Sequence, residues 1–331
     1  MRVEKEANAL LAEIKDTPKP KEEKPKPKPK PKEKPKPPTP KKIDQVMAKR
    51  TDLIDKIISS LEKRVDKSQR ALLKMIVEDL IENLDRDGDI IKNTIRNKRL
   101  ITSLDTIFNK FNRTNGLELV KSIADGVRSI INFGGEYYGL FETPAKLAPI
   151  QSQVKESIGA WLGITERGAL EKNGYLDTIL SDATIKNKIR DMTMGGVVSQ
   201  KGFFEIKKGL ADFLTDTKSG TGRLKQYYRN FVYDTFSVAD RTAAKITADK
   251  LKFNYAIFEG PKLKRSREWC LKRKGKVFSR EEIAKFNPPT AKPPGYNPFT
   301  DLGGFGCVDH LNFVPDIIAF SLRPELKKAL K

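Results

Sequence analysis

Both cysteines of the chain, Cys270 and Cys307, and its one histidine, His310, lie close together near the C-terminal end. They fall within the segments SREWC (266–270), GKVFSREEI (275–283) and GGFGCVDH (303–310), with Pro315 just beyond. Three chemistries are open to them. As metal ligands, Cys307-x-x-His310 and the distant Cys270 form part of a zinc set that Asp309 or a water would complete. As a disulfide, the two cysteines would close a long loop, worth about 4 kcal/mol if unstrained. A reducing cytosol opposes that bond during assembly but not in a particle later released from the cell. As packing residues, the cysteines are small buried apolar groups and His310 hydrogen-bonds a loop carbonyl. A Cys-His nucleophile pair has no oxyanion motif, HExxH or paired carboxylates beside it.

The elements that must position these residues are legible around them. Phe253, Tyr255 and Ile257 alternate as in a short half-buried strand, and Val277 and Phe278 make a second. Ser279 with Glu282 three positions on is a capping box for a helix that runs through Phe286. Pro288, Pro289, Pro293, Pro294 and Pro298 force a long irregular loop before LGGFGC. Burial alone holds such a loop poorly, which gives the cysteines a structural role. A patterned helix over 223–251, with Tyr227, Phe231, Thr235, Val238, Thr242, Ile246 and Leu251 near one face, leads into this module as its scaffold.

Upstream the pattern is helical. Leu53, Ile54, Ile57, Ile58, Leu61, Val65, Leu72, Leu73, Ile76, Leu80 and Leu84 recur at spacings of three and four. A DRDGD turn (85–89) then separates this helix from a second one through Ile91, Ile95, Leu100, Leu104, Phe108 and Phe111, giving a helical hairpin. The turn does not meet the calcium-loop pattern, which needs Gly at Ile90 and Glu at Arg96. A third helix over 117–133 ends at GGEYYG (134–139), where Tyr137 and Tyr138 pack onto the helices or stack on a partner. From 145 to 222 the helical pieces are shorter, with turns at Gly195-Gly196 and at KSGTG (218–222). The latter lacks the phosphate-loop pattern.

The N-terminal end is different. Residues 1–16 predict a short helix with Ala9, Leu10, Leu11 and Ile14 on one side, too short to stand alone. Residues 17–42 are a Lys/Pro run that predicts a disordered, extended tether at about 3.1 Å per residue. Its Lys24, Lys26, Lys28, Lys30, Lys32, Lys34 and Lys36 are candidate phosphate contacts. The domain organisation expected is a docking peptide (1–16), a linker (17–42), a helical body (43–222) and a C-terminal module with its scaffold helix (223–331). The fold class is mainly α, with a small α+β module at the C-terminal end.

The chain has 331 residues and a formal net charge of +21. That balance favours a polyanion, and its spread over the chain fits non-specific phosphate contact better than base readout. Mean hydropathy is −0.53. No apolar run reaches the ~18 residues of a membrane span. Residues 1–16 lack the apolar core and cleavage site of a secretory signal, which predicts synthesis and use in the cytoplasm.

The order S-R-x-W-C, G-K-V-F-S-R-E-E-I and G-G-F-G-C-x-x-H with a proline beyond, placed after a long helix, resembles the Mu F-like minor head protein family of tailed bacteriophages, also called the head morphogenesis domain. The resemblance covers about residues 255–315 and is carried by Ser266, Arg267, Trp269, Cys270, Gly275, Lys276, Glu282, Gly303, Gly304, Cys307 and His310. Many relatives have a basic residue directly after the second cysteine, whereas Val308 and Asp309 stand there in this chain. The resemblance implies a structural virion protein present in few copies near the portal vertex, assembled in the host cytoplasm. The partners it implies are the portal protein, the major capsid or scaffold protein, and packaged double-stranded DNA. It implies no catalytic residues, and the body over 43–222 lies outside it. Two rival classes are a head-carried enzyme or toxin-like effector, such as a metal-dependent nuclease, and a non-specific nucleic-acid-binding protein.

Overall fold

The structure is a computed structural model that describes residues 37–165, 170–180, 183–215, 221–261 and 266–330. The helix expected at 1–16 and the tether lysines from Lys24 to Lys36 lie outside the described residues. The linker was expected to reach residue 42, but helix α1 (Pro40–Asp79) already begins inside it. The Thr39 hydroxyl accepts from the Lys42 amide, and Pro40 sits in the first turn, where its missing N–H leaves no bond unmade.

Helix α1 buries Ile43, Met47, Ile58, Leu61, Val65, Leu72 and Ile76 along one stripe. The DRDGD segment turns the chain as expected, through a two-residue hairpin of β1 (Arg86–Asp87) and β2 (Ile90–Ile91), with Gly88 at φ +57. Buried Asn97 holds this turn. Its side chain accepts from the Asp85 amide at 2.7 Å and donates to the Asp85 and Lys92 carbonyls at 2.9 and 2.7 Å.

The second arm of the helical hairpin is broken into α2 (Ile95–Ile101) and α3 (Leu104–Phe111). Thr102 turns its hydroxyl back onto the Arg99 carbonyl at 2.6 Å, the local bond by which such residues compete with helix propagation.

Helix α4 (Leu117–Tyr138) does not stop at Phe133 as expected. Gly126 and Gly135 within it admit neighbouring side chains instead of turning the chain. A Cβ on Gly135 would lie 1.5 Å from Nε2 of Gln151, and one on Gly126 would lie 2.8 Å from atoms of Ile57 and Phe236. Tyr137 and Tyr138 are therefore core residues, with hydroxyls donating to the carbonyls of Phe313 and Ala244 at 3.2 and 3.1 Å. Helices α5 (Pro144–Leu162), α6 (Tyr175–Leu180), α7 (Thr184–Val198) and α8 (Phe203–Leu214) follow. Gly195 and Gly196, expected as a turn, lie inside α7, where Gly196 receives the Ile206 side chain.

Helix α9 (Arg223–Leu251) has the expected bounds and packs against α1, α4 and α5. Its most buried apolar line is Tyr228, Val232, Phe236, Ala239, Ala243 and Ala248, and of the expected line Thr235 and Leu251 are also buried. Phe231, Val238, Thr242 and Ile246 are only half-buried. Alanines carry this face because several elements approach the helix closely.

The module holds one antiparallel sheet in the order β4–β3–β5, built from β3 (Tyr255–Glu259), β4 (Val277–Ser279) and β5 (His310–Val314). Strand β3 was expected to be half-buried but is central, with Ala256 and Phe258 fully buried. Tyr255 packs on Phe320, and Phe258 packs on Trp269 and Phe286. Strand β5 was not expected from the sequence. Tyr255 pairs with Val314, and Glu259 with His310. Short helices α10 (Glu268–Leu271), α11 (Arg280–Ala284) and α12 (Asp316–Leu322) complete the module. The Ser279–Glu282 capping box is formed. The described residues belong to one compact unit, and no described helix is long and apolar enough to cross a membrane.

Candidate functional site

Cys270 sits on the single turn of α10, and Cys307 follows the glycine-rich end of the proline loop. Arginines and hydroxyls pin that loop. Arg267 donates to the Gly303 carbonyl at 2.6 Å and to that of Phe305. Thr290 also donates to Gly303 at 2.8 Å, and Tyr296 donates to Leu302 at 2.6 Å. From α9, Arg241 donates to the carbonyls of both Cys307 and Asp309 at 3.1 Å. Asp234 accepts from the Gly306 amide at 2.9 Å. Gly304 and Gly306, at φ +79 and +66, adopt the left-handed geometry this tight turn needs.

This pinning brings three of the four candidate ligands together. The sulfurs of Cys270 and Cys307 and a carboxylate oxygen of Asp309 lie within 4.8 Å of one another, all buried. Both cysteines are free thiols. Sγ of Cys307 is 3.8 Å from Oδ2 of Asp309. The other carboxylate oxygen pairs with Nζ of Lys274 at 2.9 Å, the two side chains being 8% and 5% exposed. Lys274 also donates to the carbonyls of Gly260 and Pro261. Two glycines leave room for the cluster. A Cβ on Gly303 would lie 2.9 and 3.0 Å from the two sulfurs, and one on Gly260 would lie 2.3 Å from Oδ1 of Asp309.

His310 is left out of the cluster. Successive residues of an extended chain point to opposite sides, so Asp309 and His310 diverge at the start of β5. His310 lines a cavity of about 250 Å³ with Met47, Thr51, Glu259 and Lys274. Burial holds its imidazole well below the ordinary value, and the charges of Arg50, Arg241 and Lys274 add to that, so the ring is neutral. Glu259 across the register is shifted the other way, upward, mainly by burial.

The two thiols are shifted in opposite directions. Cys307 is lowered to about 6, first by the hydrogen bond it accepts from Cys270 and then by Arg241, against the effect of burial. Cys270, as the donor, is raised. Arg241 is 2% exposed and forms no ion pair with a carboxylate among the described residues. An anionic sulfur would supply its counter-charge.

The remaining motif residues hold the module together. Trp269 lies under the guanidinium of Arg273 at 3.8 Å and edge-on to Phe286 at 5.4 Å. Gly275, at φ +75, donates its amide to the Phe258 carbonyl at 2.8 Å. Exposed Lys276 contributes its carbonyl to the Phe258 amide at 3.0 Å. Glu282 accepts from the Ser279 amide and pairs with Arg323 at 2.9 Å. The Ser266 hydroxyl donates to the Pro261 carbonyl at 3.4 Å.

Sequence reasoning missed Arg241, Lys274, Thr290, Tyr296 and Asp234. Arg241 had a signal, since Asp240 and Arg241 interrupt an alanine-rich helix face (Ala239, Ala243, Ala244). No protein-family model, curated protein or solved structure matches the chain.

Proposed function

We propose that the protein is a minor head protein of a tailed bacteriophage. In this reading it acts in head morphogenesis near the portal vertex, with the portal protein as its principal partner and packaged DNA as a non-specific one. One observation carries the reading: Arg267, Trp269, Gly275, Glu282 and Gly303, on which the resemblance rests, each make a contact inside one module. They serve to build a fixed shape, as a structural component requires. The net charge of +21 supports proximity to dense DNA, because lysines and arginines replace condensed counterions. The major capsid or scaffold protein are further partners of this reading, with the virion as its destination and the host cytoplasm as the place of assembly.

The test is a pull-down of the full chain, and of a chain lacking 1–36, against the portal protein of the same genome. Retention of both at moderate salt supports the reading and locates the contact in the helical unit. Retention of neither, at any salt, removes it.

A second reading is a head-carried enzyme or toxin-like effector. It draws on the cavity where Glu259, with its raised pKa, faces the neutral ring of His310 beside Lys274. Turnover of DNA or RNA that is lost in His310→Ala would favour it over the structural role.

A further inference from the structure

We propose that Cys270, Cys307 and Asp309 bind one zinc ion, with a water as the fourth ligand and Lys274 as the residue that orients the carboxylate. This inference stands independently of the phage reading. The donors are two sulfurs and one oxygen, the mixed set that zinc accepts and that magnesium or calcium does not. The distances fit as well. A thiolate sulfur about 2.3 Å from zinc and a carboxylate oxygen about 2.1 Å from it are separated by about 3.6 Å at the tetrahedral angle. The sulfur of Cys307 and Oδ2 of Asp309 are 3.8 Å apart, long for an S–H···O hydrogen bond and close to that edge.

The second layer is also in place. Oδ1 of Asp309 is held by Lys274 at 2.9 Å, which leaves Oδ2 turned toward the sulfurs. The backbone on either side of Cys307 is fixed by Arg241 and Arg267. Gly303 leaves the two sulfurs an open flank that a Cβ would fill. Charge balance also permits the ion. Both sulfurs coordinate zinc as thiolates, whose two negative charges offset the two positive charges of Zn²⁺, so Asp309, Lys274 and Arg241 keep the charges they had.

The experiment uses the full chain, purified under reducing conditions, stripped with a chelator and titrated with zinc or with cobalt as a spectroscopic probe. The expected result is about one equivalent of zinc retained through gel filtration. Cobalt should give the visible bands of a tetrahedral site together with a sulfur-to-cobalt charge-transfer band. Asp309→Asn should weaken affinity by about 10- to 100-fold or more while the cobalt-sulfur band persists at saturation. The double change Cys270→Ser with Cys307→Ser should abolish that band. Should either variant fail to fold, the wild-type cobalt spectrum decides. A folded wild-type chain that retains no metal and whose two cysteines both react as free thiols on unfolding overturns the proposal. Recovery of a Cys270–Cys307 disulfide instead of bound zinc, in chain purified without reductant, overturns it equally.

Discussion

Arg50 on α1 donates to the side-chain oxygen of Asn312 on β5 at 2.7 Å, across 262 positions of sequence. The same guanidinium pairs with Asp240 on α9, and both side chains are about 5% exposed. Asn312 in turn donates to Glu259 at 3.2 Å. One buried polar network thus ties the first helix to the last strand of the sheet, and the C-terminal module is fixed to the helical body by paired charge as well as by apolar contact.

Removing one partner of such a pair leaves a buried charge uncompensated. Asp240→Leu should destabilise the chain by about 3–5 kcal/mol, whereas the double change Arg50→Met with Asp240→Leu should recover much of that loss. Urea unfolding of the four members of the cycle measures both terms, and additive single effects would contradict the coupling.

The glycines divide into two kinds. Gly303→Ala sets a methyl within about 3 Å of both sulfurs and should cost about 1–3 kcal/mol through overpacking. A Cβ on Gly134 meets nothing within 4 Å, so Gly134→Ala in α4 should be neutral or stabilise by up to about 1 kcal/mol. Melting temperatures shifting in opposite directions would bear out both.

The pH dependence at Glu259 follows from the direction of its shift. Burial raises its pKa first and Asp44 adds to that, while Arg50 and the bond from Asn312 oppose it. A carboxyl raised in the folded state binds its proton more tightly there than in the unfolded chain. Its contribution is therefore fully present below the unfolded value of about 4.3 and is lost as pH rises through the folded pKa. Glu259→Gln keeps an acceptor for Asn312 and has no charge to bury. It should be more stable than wild type at pH 7, with the difference closing near pH 4. Denaturation midpoints across that range provide the test, and a less stable variant at neutral pH would refute the sign.

Glu282 closes the capping box of α11 and pairs with Arg323 after α12. Glu282→Ala should cost about 1–2 kcal/mol. Hydrogen exchange should show faster amides in α11 while α9 is unchanged. Uniform loss of protection would mean that the cap is not a local feature.

Local pattern alone settled a good part of this protein. The spacing of Ile58, Leu61, Val65, Leu72 and Ile76 determines α1, because a stripe recurring every three to four residues has one way to be buried. Ser279 and Glu282 determine a helix start, since the capping box closes within four residues. The DRDGD turn and the bounds of α9 were legible for the same reason. Tertiary contact decided the rest. Gly134, Gly135, Gly195 and Gly196 read as breaks but lie in continuous helices, where Gln151 approaches Gly135 and Ile206 approaches Gly196, and only the partner reveals the difference. Strand β5 is assigned by β3 beside it. The sequence brought Cys307, Asp309 and His310 together as one cluster of candidate ligands. The pleat turns His310 away from Cys270, while Arg241, Arg267 and Lys274, from three separate elements, hold the carbonyls and the carboxylate that bring Cys270, Cys307 and Asp309 into reach of one another. Sequence spacing carries residue types, but ligand geometry depends on backbone direction, which distant hydrogen bonds fix.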